Sequence, residues 1–171
     1  MAGMWRSGGA VQLEVPAPPS AVYEQVADVT TIGDRSEECH HAAWLPGADP
    51  GQVGARFRGR NRFGIARWSR VCEVTEAEPG QRFAFRTIPE RIDLSRADST
   101  RWSFTFEPTA DGCLVTHEYR IERMPLQPFR WLYGRFLPHH RDMRPHMRRT
   151  LEALRDQFSD LPGDPIAQRP R

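Results

Sequence analysis

Alternation of apolar and polar residues organises most of this chain. Ala10 to Val15 (AVQLEV) alternates and predicts a first strand, closed by the cluster Pro16–Pro19. Val22, Val26 and Val29 then recur at i, i+4 and i+7, the spacing of one helix face. That helix starts either with Ser20 as its cap or with Pro19 in the first helical position. Thr30 is placed to cap a second short turn reaching Asp34.

From about residue 40 to residue 122 the period is two. A short strand is expected at His41–Leu45. Ala55–Arg62 (ARFRGRNR) sets four arginines on one face against Ala55, Phe57, Gly59 and Asn61 on the other, a strand with one wet and one covered side. Ala66–Glu76 brings Trp68, Cys72 and Val74 to one face, and Arg82–Thr87 does the same for Phe83 and Phe85. Thr100–Glu107 aligns Trp102, Phe104 and Phe106, and Cys113–Glu122 aligns Val115, His117, Tyr119 and Ile121. Folding these two about Asp111-Gly112 sets Phe106 opposite Val115, Phe104 opposite His117 and Trp102 opposite Tyr119. The two alternations therefore agree on one hairpin register.

The period then changes to that of a helix. Phe129, Leu132, Tyr133, Phe136, Met143, Met147, Leu151, Leu154 and Phe158 form an apolar stripe over Gln127–Phe158, and Pro138 and Pro145 predict a break at one of them. A sheet with one apolar face needs a cover, and this segment is the element long enough to supply it. The expected fold is α+β, a helix grip: a curved antiparallel sheet of about six to seven strands wrapped around a long C-terminal helix. The domain is expected over residues 10–158, with disordered tails at 1–9 and 159–171.

Composition narrows the partners. The 171 residues carry 24 basic and 22 acidic side chains, a formal net charge of +2, so no nucleic-acid partner is expected. Every basic residue is an arginine. Three scattered cysteines without a CxxC pair read as buried thiols in a reducing compartment, and the N-terminus lacks the apolar run of a signal peptide. The expectation is a cytoplasmic protein.

Several stretches resemble the START-like (SRPBCC) superfamily, in its polyketide cyclase/dehydrase and lipid-transport group. They are PAPPSAVYEQVAD after the first strand, RWSRVCEVTEAEPGQRFAFRT, the hairpin RWSFTFEP to DGCLVTHEYRIE, and the closing RRTLEALRDQF. The resemblance spans roughly residues 10–158. It implies a deep cavity between sheet and helix holding lipids, polyketides or other hydrophobic molecules. Some members are cyclases or aromatases and many only bind or carry, so activity does not follow from membership.

No nucleophile elbow, P-loop, HExxH or dinucleotide fingerprint occurs, so chemistry has to come from polar residues on the covered face. His117 is the candidate general base for a carbon acid, with Tyr119 or Arg70 as hydrogen-bond donors to a developing enolate oxygen. Arg70 also suits a ligand carboxylate or carbonyl, and Asn61 an oriented amide contact. The expected ligand contacts are Phe57, Asn61, Trp68, Arg70, Phe85, Trp102, Phe104, His117, Tyr119, Leu132 and Phe136. No cofactor is expected. Neither Cys39-His40-His41 nor His139, Asp142 and His146 is expected to hold a metal, because consecutive strand residues diverge and the prolines disturb the helical spacing.

Three functions are left: carriage of a hydrophobic small molecule, cyclase, aromatase or dehydratase chemistry in the same cavity, and an interaction module using the basic C-terminal helix. At most transient membrane contact is expected, during lipid exchange.

Overall fold

The computed structural model describes residues 5–159. Of the tails expected at 1–9 and 159–171, residues 1–4 and 160–171 lie outside that range, while Gly8 and Gly9 belong to the first strand and Ser159 to the last helix. Seven strands form one antiparallel sheet: β1 (Gly8–Val15), β2 (Cys39–Trp44), β3 (Arg56–Phe63), β4 (Ala66–Glu78), β5 (Arg82–Thr87), β6 (Ser99–Pro108) and β7 (Cys113–Arg123), in the order β1-β7-β6-β5-β4-β3-β2. Strands β2 to β7 form an uninterrupted meander, and β1 closes it by pairing with β7, Val11 opposite His117 and Leu13 opposite Val115.

The predicted hairpin register is the observed one, with Trp102 across from Tyr119, Phe104 from His117 and Phe106 from Val115. In β3 the arginines are exposed while Phe57 and Gly59 are buried, as the alternation requires. Strand β4 departs from simple alternation. A bulge at Thr75 lets Val74 oppose Phe85 and Glu76 oppose Ala84, which rotates the end of the strand. Strand β1 starts at Gly8, two residues before the alternation, because two glycines carry no apolar signal.

Helix α1 (Pro19–Ala27) begins with Pro19 in its first turn, where a missing N–H is harmless. It buries Val22, Tyr23 and Val26, and Tyr23 meets Phe83 and Phe106 edge-on at ring separations of 6.2 and 5.8 Å. The short 3-10 helix Val29–Asp34 follows, capped by Asp28 Oδ1 accepting the Thr30 amide at 3.0 Å.

The C-terminal segment is broken at both prolines. Helix α2 (Gln127–Phe136) ends at Leu137, a 3-10 turn occupies Pro138–Arg141, and helix α3 (Arg144–Ser159) restarts with Pro145 in its first turn. Each proline removes a donor and blocks the helix before it, so the one apolar stripe becomes two bodies. Among the described residues no helix is long and apolar enough to cross a membrane.

Helix α3 buries Met147, Leu151 and Leu154 and packs chiefly on β1 and its neighbour β7. The close approach depends on Gly9, where a Cβ would stand 2.9 Å from Arg144 Cδ and 3.1 Å from the Tyr119 ring. With α3 held to that edge, the inner face of β3–β6 is left for α2 and the 3-10 turn to cover, and they cover it loosely.

Candidate functional site

Between the sheet and these helical pieces lies a cavity of about 740 Å³. That falls in the range of roughly 300–1,000 Å³ common for small-molecule sites. Strands β3 to β7 contribute Phe57, Asn61, Trp68, Phe85, Trp102, Phe104 and His117, and the helical segments contribute Phe129, Leu132, Tyr133, Phe136, Met143 and Met147. The aromatic contacts continue across strands, with Phe57 edge-on to Phe85 at 5.2 Å and to Trp44 at 5.6 Å.

The structure brings ten of the eleven expected ligand contacts to this cavity: Phe57, Asn61, Trp68, Arg70, Phe85, Trp102, Phe104, His117, Leu132 and Phe136. Tyr119 is the exception. It shares the inward face of β7 but sits beneath α3, fully buried and away from the cavity. Its hydroxyl approaches the Met143 backbone without a well-formed hydrogen bond, and burial raises its pKa. Face parity on the strand was right; what covers that face changes from open cavity to packed helix between residues 117 and 119.

His117 is 5% exposed and stacks on Phe104 with 4.0 Å between ring centres and 14° between planes. Its Nδ1 is buried without a partner. Burial, with a further push from the Arg35 charge, holds the imidazole pKa down at about 3. The ring is therefore neutral at ordinary pH and a feeble base.

Arg70 does face inward, but not as a free cation. Its Nη1 donates to Asp98 Oδ1 and its Nη2 to the Asp98 carbonyl, both at 2.8 Å. The pair's side chains are only 11% and 16% exposed, so the arginine's charge is matched by a neighbour before any ligand arrives. This ties β4 to the loop 94–98 that walls the cavity. Asn61, half-buried opposite Trp68 at the end of β3, keeps its amide on the cavity wall.

Two polar groups on the cavity wall carry no sequence signal. Arg35 is 5% exposed. Its Nη1 donates to Thr31 Oγ1 at 2.7 Å and its Nη2 to the Val26 carbonyl at 3.2 Å, capping the end of α1. Burial lowers its pKa to about 10 against the opposing pull of Asp28 and Asp34. No periodicity marks a turn arginine that folds back nine residues.

The second group joins residues about a hundred positions apart. Glu38 Oε2 accepts from His139 Nε2 at 2.6 Å and from His140 Nε2 at 3.1 Å. Burial would raise the Glu38 pKa, but these two hydrogen bonds and the imidazole charges bring it to about 2. Neither triad weighed from sequence forms as a whole: His139 and His146 do meet, with ring centres 4.5 Å apart, but Asp142 is drawn elsewhere. Asp142 is engaged by Arg144 at 2.6 Å and Arg6 at 3.4 Å, His40 and His41 are exposed, and Cys39 Sγ contacts the His41 carbonyl at 3.6 Å. Burial raises the thiols of Cys39 and Cys72 to about 11 and about 12, so both stay protonated.

The model of the family described as polyketide cyclase / dehydrase and lipid transport matches residues 10–159. No curated protein matches the chain. Among solved structures, TTHA0849 from Thermus thermophilus is similar at a TM-score of 0.66 and 17% identity, covering 89% of this chain and 97% of its own. Major latex-like protein 151 from Panax ginseng is similar at 0.64 and 11%, covering 91% and 97%. The di-domain ARO/CYC StfQ of the steffimycin biosynthetic pathway is similar at 0.65 and 11%, over 90% of this chain and 51% of the two-domain protein. At these identities the likeness is one of fold.

Proposed function

The chain belongs to the polyketide cyclase/dehydrase and lipid-transport family, and from that premise we propose that it binds and carries one largely apolar small molecule, lipid or polyketide-like, in the internal cavity. The observation that carries the reading is the cavity itself: about 740 Å³ walled by the aromatic inner faces of β3–β7 and by α2. Burying a ligand's apolar surface there supplies roughly 25 cal/mol per Å² removed from water.

Native mass spectrometry of freshly purified protein, followed by denaturing extraction, tests the proposal. A discrete apolar adduct, or saturable displacement of a fluorescent apolar probe by fatty acids or polycyclic aromatics, supports it. No adduct, no probe binding and no thermal shift from such a panel would sink it.

The polar groups favour carriage over cyclisation. An aldol-type cyclase needs a base matched to its working pH, and His117 is held near 3. Arg70 is engaged by Asp98 and Tyr119 lies outside the cavity, so the expected base and donors do not converge on one carbonyl.

The rim supports transient contact with an anionic membrane during exchange. Ile65, Trp131 and Phe136 are 101%, 73% and 60% exposed, and Ile65 and Phe136 also line the cavity. Arg62, Arg67, Arg130 and Arg135 stand beside them in the chain and make no ion pair among the described residues. Exposed apolar tips with arginines close by in the chain suit a surface that is apolar beneath and negative above.

A further inference from the structure

We propose that Glu38, His139 and His140 form a binding site for one divalent transition-metal ion of the zinc class, set in the cavity wall. All three ligand atoms lie within 4.8 Å of one another. Both imidazole Nε2 atoms converge on the same carboxylate oxygen, at 2.6 and 3.1 Å. Donors bound about 2.0–2.1 Å from a tetrahedral ion stand about 3.3 Å apart, so metal entry lengthens each Nε2–Oε2 separation by less than about 1 Å.

The local backbone explains how adjacent histidines achieve this. In a strand they would diverge; in the 3-10 turn Pro138–Arg141 they splay from a tight bend, with ring centres 4.5 Å apart and planes at 86°. Phe63 packs on His139 at 4.3 Å and Trp68 meets His140 edge-on at 6.1 Å, so both rings are held by aromatic neighbours from the β3–β4 hairpin.

Two further observations point beyond an ordinary hydrogen-bonded cluster. The His139 side chain is 8% exposed and its Nδ1 is engaged by no neighbour, so the ring's N–H can sit on Nδ1 and leave the Nε2 lone pair to an ion. And all three ligating residues line the cavity, so the ion would keep a side open toward whatever the cavity holds. A donor set of two imidazoles and one carboxylate suits zinc or ferrous iron and not calcium or magnesium, which prefer all-oxygen shells. The guanidinium of Arg149 is occupied by Glu37, the neighbour of Glu38 in the chain, through both carboxylate oxygens at 2.9 and 2.8 Å.

The test uses the full chain without a histidine tag, stripped with a chelator, then titrated with Zn(II) by calorimetry and with Co(II) by visible absorption. Expected are one ion per chain, a Kd at or below the micromolar range, and the intense d–d bands of four- or five-coordinate cobalt. Glu38→Gln and His139→Ala each weaken binding at least about tenfold, while the exposed pair His40→Ala/His41→Ala leaves it unchanged. Binding weaker than about 100 µM, or the faint spectrum of a six-coordinate ion, overturns the site. So does undiminished binding in folded Glu38→Gln. If His139→Ala does not fold, the wild-type cobalt spectrum and the Glu38→Gln titration still decide. None of these readouts depends on an organic ligand, so failure of the carrier proposal would leave this one standing, and the reverse.

Discussion

Lowering the pH from 7 to 5 should destabilise this protein, and His117 contributes a separable share of the loss. Its folded-state pKa lies at about 3 because the ring is buried against Phe104 and Trp102 with no acceptor for a second N–H, and the Arg35 charge opposes it. In the unfolded chain the same imidazole titrates near 6.5. The folded pKa is depressed, so the unfolded state takes up the proton first. The stabilisation is whole above about pH 6.5 and drains away as the pH falls toward 3. With those two values the loss between pH 7 and pH 5 is about 2 kcal/mol, from the proton-linkage relation at about 1.36 kcal/mol per pKa unit. For a domain of this size that is a fall of roughly 4–8 °C in Tm. Urea unfolding at both pH values, run on the wild type and on His117→Leu, isolates the effect. Every other titrating group is common to the two proteins, so the expected result is a wild-type loss about 2 kcal/mol larger than that of the variant. Equal losses, within about 0.5 kcal/mol, would refute the reasoning and mean that cavity water or a local acceptor solvates the charged ring.

Three further outcomes follow from the same geometry. Tyr119→Phe should leave apolar-probe affinity unchanged and keep or raise stability by up to about 1 kcal/mol, because it deletes a buried hydroxyl that has no partner; a threefold loss of affinity would return Tyr119 to the cavity. Arg70→Ala should cost about 3 kcal/mol by stranding Asp98, and the double variant with Asp98→Ala should cost clearly less than the sum of the singles, which chemical denaturation measures. Sedimentation with anionic vesicles should show binding at low salt that is lost near about 0.5 M salt and weakened by Trp131→Ala; salt-independent or absent binding removes the membrane encounter.

The fold was legible because its signals are local or pairwise. The arginine ladder of β3 needed only parity, and the β6–β7 register followed from two alternations and one turn. The site was legible only as far as parity reaches. Strand parity put Phe57, Trp102, Phe104 and His117 on the covered face, but it also put Tyr119 there and could not tell cavity from helix contact. That distinction depends on where α3 lies, and α3 is placed by the tight seat at Gly9 and by the restart at Pro145. Arg70 was a similar case. Its direction was readable, but its neutralisation by Asp98 rests on a loop contact across 28 residues. The Glu38–His139–His140 convergence spans 101 residues, and His139 meets His146 at 4.5 Å not on one helix face, as the spacing suggested, but across the 3-10 turn and the restart at Pro145.

Those prolines link the sequence to the cavity. An unbroken helix over Gln127–Phe158 would lay its apolar stripe continuously on the sheet, and dense packing would fill the space with side chains. Broken at Pro138 and Pro145, the segment seats α3 on β1 and β7 and leaves α2 with too little sheet to cover. Helix α2 buries only Gly134, where a Cβ would stand 3.0 Å from the Arg141 side chain, and leaves Trp131, Leu132 and Phe136 exposed. Its attachment includes the hydroxyl of Tyr133 donating to the Ser95 carbonyl, a contact with the very loop that Arg70 ties to the sheet. An element with so little buried apolar area opens at low free-energy cost. The two breaks that enlarge the cavity therefore also supply its most easily displaced wall, so capacity and access arise from one feature of the chain.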